Sequence, residues 1–178
     1  ARNIAIDCSV FNQEACASAH TVFVETGGEV SPEAFSTFLA DKMSVVAREI
    51  PYDLYNDRVL GDVKSARMQH YLDGQVFSPQ GLDWTVLYRG KTEFLDPVYG
   101  RTVFVRPCDD LLEVSRFLSR DNQVVGLALP TPRRTQVAEA YAEAGVDRVT
   151  SVGKMALFTS PWDGVFPVEK LIRWVSLS

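Results

Sequence analysis

The apolar positions of this chain switch repeatedly between a helical and an extended period. Over residues 2–15, Ile4, Cys8, Phe11 and Ala15 recur at spacings of four, three and four, with Ile6 and Val10 beside them, which predicts a helix. Residues 20–25 (HTVFVE) are β-branched and aromatic and run into Gly27-Gly28, the pattern of a short buried strand and a turn. Ser31 and Pro32 supply an N-cap and a first-turn proline. The helix they open carries Phe35, Phe38, Leu39, Met43, Val46 and Ile50 as its apolar stripe and ends at Pro51. A second helix is predicted over 56–71, with Arg58, Lys64 and Arg67 on its polar side and Asp73-Gly74 closing it. Residues 82–88 and 102–105 read as strands joined by an irregular loop.

The second half alternates more regularly. Asp110 followed by Glu113 is a capping-box signature for a helix bearing Leu111, Val114 and Leu118. Residues 123–129 form an uncharged strand, Thr131-Pro132 opens a helix with Val137, Ala140, Tyr141 and Ala144 on one face, Gly145 ends it, and 148–152 returns as a strand. Such a β-α-β unit places its two strands parallel in one sheet through a right-handed crossover, so the fold class is α/β. Residues 167–177 are expected as a short helix or an edge strand. No internal repeat or low-complexity segment interrupts the pattern.

With 178 residues the chain suits one domain, and 46% hydrophobic against 23% charged residues excludes collagen-like, disordered and coiled-coil classes. Eighteen basic against 23 acidic side chains leave a net charge of −5, which argues against nucleic acid and anionic membranes as partners. Apolar runs fall short of a membrane span and nothing resembles a secretory signal, so a cytoplasmic location is expected. The first helix has no methionine or capping residue before it, which suggests a fragment entered part-way along a helix.

Cys8, Cys16 and Cys108 are odd in number and scattered, which is no disulfide framework. With only His20 and His70 and no Cys-x-x-Cys pair, no metal site is expected. Phosphate-binding glycine loops and a Gly-x-Ser-x-Gly elbow are absent from the sequence, leaving cysteine as the better nucleophile, since a thiol needs little activation to form a thioester. Cys8 on an apolar helix face and Cys108 before a cap are expected to pack. Cys16, between Ala15, Ala17 and Ser18 at a helix-to-strand junction, is the candidate nucleophile, with a small buried filler as the other reading. His20, four residues on, is a weaker candidate base with no evident third orienting group, and Glu14 is expected to be a solvated acid. Asp109 and Asp110 are expected as helix caps, and Arg133 and Arg134 as a solvated first turn.

The string Asn12-Gln13-Glu14-Ala15-Cys16-Ala17-Ser18, followed by the strand at 20–25, resembles the nucleophile segment of the aldehyde dehydrogenase superfamily. The match is closer to its fatty acyl-CoA reductases of the LuxC type, whose segment is similar to Asn-Gln-x-x-Cys-Ser-Ser-Pro-Gln; Ala17 and Ala19-His20 depart from it. Tyr99 to Leu111 is similar to the superfamily's Phe-Gly-Pro-Val strand and the Pro-x-Asp-Asp cap beyond it. The likeness covers most of the chain and is stronger at 1–25 and 97–164.

This resemblance implies an aldehyde-dehydrogenase-like catalytic domain over 1–178, a mostly parallel sheet flanked by helices, without the N-terminal cofactor-binding domain. It implies reduction of a fatty acyl-CoA, or of an acyl group on a carrier, by NADPH through an acyl-cysteine. Cys16 would be both nucleophile and backbone oxyanion donor. Counting from Tyr99, the superfamily's ribose-holding glutamate falls on Pro97, so that clamp is missing or replaced by Asp96; Tyr99 and Asp96 are the candidate cofactor contacts. Partners would be a second copy of the chain, or acyltransferase and synthetase subunits. The rival readings are an NAD(P)-dependent aldehyde dehydrogenase, a Cys-His acyltransferase using His20, and a non-catalytic subunit-interaction domain.

Overall fold

The computed structural model describes residues 1–52 and 56–176. Its helices are α1 (Arg2–Ser9), α2 (Pro32–Glu49), α3 (Asp57–Asp73) and α4 (Thr131–Ala144). Its strands are β1 (Thr21–Glu25), β2 (Gln75–Phe77), β3 (Thr85–Tyr88), β4 (Thr102–Cys108), β5 (Val124–Leu127) and β6 (Arg148–Ser151). The larger sheet has the order β1-β4-β3-β2, with β1, β4 and β3 parallel and β2 antiparallel at the edge. The smaller is the parallel pair β5-β6, crossed over by α4 as the β-α-β pattern requires. The architecture is the expected α/β class, with mostly parallel strands flanked by helices.

β4 is buried along nearly its whole length because it is covered on both faces. Val103 and Val105 pack with Leu39, Ala40, Met43 and Val46 of α2 and with Ala5 and Cys8 of α1. Phe104 points the other way, into a cluster with Leu87 and Ala66. Arg106 lies on that second face and is fully buried. Its Nη1 donates to the carbonyls of Leu87 and Val105, and its Nη2 lies 2.9 Å from His70 Nε2. His70 Nδ1 lies 2.9 Å from the Ala66 carbonyl, which fixes the proton on Nδ1 and leaves Nε2 to accept from the guanidinium. Burial lowers the pKa of His70 and that of Arg106, the latter to about 10.

Local signals account for most boundaries. Ser31 Oγ accepts from the Ala34 N–H, Asn56 Oδ1 from those of Arg58 and Val59, and Gly145 closes α4 at φ 114°. Several expectations need correction. The helix expected over 2–15 stops at Ser9, and the one after Asp110 is a 3₁₀ segment, Leu111–Phe117, although Asp110 caps it as expected. The α2 stripe is rotated: Phe38 is 49% and Ile50 37% exposed, while Ser36 and Ala40 are buried. Arg67, on the polar side of α3 as expected, binds the carbonyls of Gly81 and Trp84 and the Thr85 hydroxyl through its guanidinium. β3, expected from residue 82, begins only at Thr85.

Arg133 and Arg134 are not a free first turn either. Arg133 grips both carboxylate oxygens of Glu25 and one of Asp110, and Arg134 donates to the Leu127 carbonyl. The strand expected over 102–105 continues to Cys108, with Pro107 placed beyond the last residue that pairs with β3. The segment expected over 167–177 is a 3₁₀ turn at Pro167–Lys170 followed by irregular chain, and Leu177 lies outside the described residues.

The rotated stripe predicts opposite costs on neighbouring residues. Leu39→Ala should cost about 2–5 kcal/mol in urea unfolding because Leu39 is fully buried. Phe38→Ala should cost no more than about 1 kcal/mol, and a reversal of that order would contradict the orientation of α2.

Candidate functional site

The site begins with a reversal of the chain. Immediately after α1, Phe11, Asn12 and Gln13 adopt φ of 56°, 52° and 65°. Left-handed backbone costs a non-glycine residue roughly 1–2 kcal/mol, so three in succession need compensation. Buried side-chain bonds supply it. Gln13 Nε2 donates to the carbonyls of Ala19 at 2.7 Å and Thr102 at 3.0 Å, tying the loop to the start of β4. Asn12 Oδ1 accepts from Arg101 Nε and Nη2 at 2.9 and 2.5 Å, and Arg101 Nη1 reaches the Ile50 carbonyl at 2.6 Å. The reversal leaves Glu14 and Cys16 exposed, which excludes the buried-filler reading of Cys16.

Cys16 lines a cavity of about 420 Å³ between the 14–23 segment and the β5-β6 unit. Its walls are largely apolar, with Val22, Val114, Leu118, Val125 and Leu127 among them; Asp7, Glu14 and Asp121 also line it, and no lysine or arginine does among the described residues. Ala17, Val124 and Met155 pack together beside the thiol. Among the described residues the Cys16 N–H donates no hydrogen bond to the chain, and Cys16 lines the cavity, whereas Ala17 is buried behind it.

His20 and Tyr99 line the same cavity, with ring centroids 5.3 Å apart in an edge-on arrangement. Burial depresses the His20 pKa from 6.5 to about 4, and its Nδ1 is buried without a hydrogen-bond partner among the described residues. Among the described residues the His20 and Cys16 side chains line one cavity without forming a hydrogen-bonded Cys-His pair. Asp96 is exposed on the same loop as Tyr99 and does not reach the cavity.

That loop, residues 89–101, is tethered rather than free. Glu93 takes Arg89 Nη1 at 3.0 Å and Lys91 Nζ at 3.2 Å, and lies 3.4 Å from Arg106 Nε. Phe94, next in sequence, stacks on Phe23, and Pro97 and Tyr99 reach the cavity rim. Sequence reasoning passed over Glu93 and Asp7. Asp7 does leave a signal, since an acid between Ile6 and Cys8 sits on the buried side of a helix. Its carboxylate accepts from the N–H groups of Gly153 and Met155; burial raises its pKa, and those two donors oppose the rise.

Cys8 and Cys108 are buried, as expected of packing residues. Desolvation drives both thiols upward, Cys108 to about 12 with the acids around it adding to the shift. Among the described residues no group of three or more histidine, cysteine or acidic side chains is arranged to hold a metal ion, and no helix is long and apolar enough to cross a membrane.

Two outcomes follow. Brief iodoacetamide treatment should label Cys16 alone, with Cys8 and Cys108 reacting only on unfolding, as peptide mapping would show. The second concerns pH. Because the folded pKa of His20 lies below its ordinary 6.5, the unfolded chain binds the extra proton, and stability is lost as pH falls from 6.5 towards 4. In His20→Asn the loss over that interval should be smaller than in wild type, measured by urea unfolding at both pH values.

No curated protein matches the chain. The family model described as acyl-CoA reductase (LuxC) matches residues 1–174, which takes in the reversal, the exposed cysteine, the tethered loop and the β-α-β unit behind the cavity. This chain belongs to the LuxC family of acyl-CoA reductases.

Proposed function

We propose that the protein reduces a fatty acyl thioester, as its coenzyme A or carrier conjugate, to the aldehyde, with Cys16 as acyl acceptor. The observation that carries this reading is the exposed Cys16 thiol at the wall of a largely apolar cavity without lysine or arginine among its described lining residues, with the Cys16 N–H engaged by no other described residue. A hydrocarbon chain suits such walls, whereas a phosphate does not, so the coenzyme A moiety lies outside the cavity while the acyl chain lies within it.

In the first step the Cys16 thiolate adds to the thioester carbonyl, and the oxyanion is held by the Cys16 N–H. Collapse breaks the bond to the leaving thiol, which takes up a proton, and leaves an S-acyl cysteine. Tyr99, 43% exposed at the cavity rim, offers a flat face to the nicotinamide end of a dinucleotide, and Asp96, outside the cavity on the same loop, offers an acceptor for ribose hydroxyls. When bound, NADPH supplies the hydride that converts the acyl-cysteine to aldehyde and returns the thiolate. Cys16 is exposed and Glu14 and Asp121 share its cavity, so keeping water from the thioester falls to the acyl chain bound against the apolar walls. His20, its proton affinity lowered by burial, is a weak base towards water that enters. Both features favour reduction over hydrolysis.

Intact-mass spectrometry after incubation with palmitoyl-CoA tests the first step. One hydroxylamine-labile palmitoyl adduct should form, vanish in Cys16→Ala and persist in His20→Ala. An adduct on Cys8 or Cys108, loss of the adduct in His20→Ala, or no adduct at all would overturn the assignment.

A further inference from the structure

Asp7 lies on α1 yet reaches across to the turn that follows β6. It is 3% exposed, its Oδ2 accepts from the Gly153 N–H at 2.5 Å, and its Oδ1 accepts from the Met155 N–H at 3.2 Å. Its main-chain carbonyl accepts from the Ala19 N–H at 3.3 Å. One residue therefore joins the helix before the nucleophile, the end of the Cys16 loop and the 153–155 turn.

The turn is built for that grip. Gly153 has φ 86°, and a Cβ there would lie 2.8 Å from Asn3 Cβ, so the close approach to α1 requires glycine. Met155, held by its N–H, is 6% exposed and packs with Ala17 and Val124; its sulfur lies 3.2 Å from the position a Cβ on Gly126 would take. It forms the floor beneath the residue that follows Cys16. A buried carboxylate is costly, and two N–H donors converging on it are what only a group with acceptors alone can satisfy.

Resting on the reading of Cys16 as acyl acceptor, we propose that Asp7 is a positioning residue: by clamping the 153–155 turn it holds Met155 against Ala17 and fixes the Cys16 thiol at the cavity mouth. The clamp acts on orientation, not on thiol access.

Asp7→Asn, which sets an amide NH₂ against one of the two N–H donors, separates these effects. Palmitoyl-CoA acylation of Cys16 at saturating substrate should fall about tenfold, while alkylation by iodoacetamide, which needs no oriented carbonyl, should change by less than about threefold. Hydrogen exchange should quicken in peptides covering 15–19 and 152–156 and stay unchanged in α3. Gly153→Ala, which breaks the same turn without touching the carboxylate, should reproduce the pattern. Acylation and alkylation falling together in proportion to the folded fraction, or unchanged exchange at 15–19, would overturn the proposal. If wild type is not acylated, the functional reading fails, and the clamp stands or falls on the exchange at 15–19 alone.

Discussion

Everything at the site depends on three residues that turn the wrong way. The left-handed run at Phe11, Asn12 and Gln13 is unfavourable in isolation and persists because the Asn12 and Gln13 side chains are spent on Arg101 and on the carbonyls of Ala19 and Thr102. Those partners lie on the far side of the chain, at the entry to β4 and within the loop itself. The reversal is therefore held by contacts to residues 89 positions away, and the exposed thiol is a product of tertiary structure.

Two packing units meet at the cavity. One is the core under α1 and α2, built on β4; the other is the layer of α4, the 3₁₀ segment and the β5-β6 pair. Phe23 and Glu25 of β1 belong to both worlds, the ring stacking on Phe117 and the carboxylate taking Arg133 and the Leu111 N–H. A gap between two well-packed layers can stay open because neither collapses into it, and its lining is apolar because each layer contributes core residues to the wall. Glu93, with Arg89, Lys91 and the buried Arg106, ties down the loop at the cavity's edge, while the charged side chains that line the cavity itself are the acids Asp7, Glu14 and Asp121.

Much of this was legible from residue pattern alone, and the limits have physical causes. The β-α-β unit over 124–151 declares itself because each end carries its own punctuation, proline at the start of α4 and a left-handed glycine after it. The first helix misleads because its apolar period runs on through Phe11, which is 57% exposed once the backbone reverses. β2 is three residues long, too short for any period to register. Cys16 is visible through local motif and small neighbours. Asp7 and Glu93 are not: acids look solvated in sequence, and Asp7's partners are 146 and 148 residues away.

The pairing of β1 with β4 has a metric consequence. Cys16 precedes one strand and Tyr99 the other; the strands run parallel, with Thr21 opposite Phe104 and the Phe104 N–H bonded to the His20 carbonyl. The offset between the thiol and the aromatic rim is thus ruled off in strand steps of about 3.3 Å, a graduation too coarse for evolution to adjust by small drift. Sliding by one step would also turn every inward side chain of β1 outward. Since chemistry is sensitive to errors near 1 Å, fine adjustment of this gap is left to side chains and to the two loops, while the ladder sets its scale.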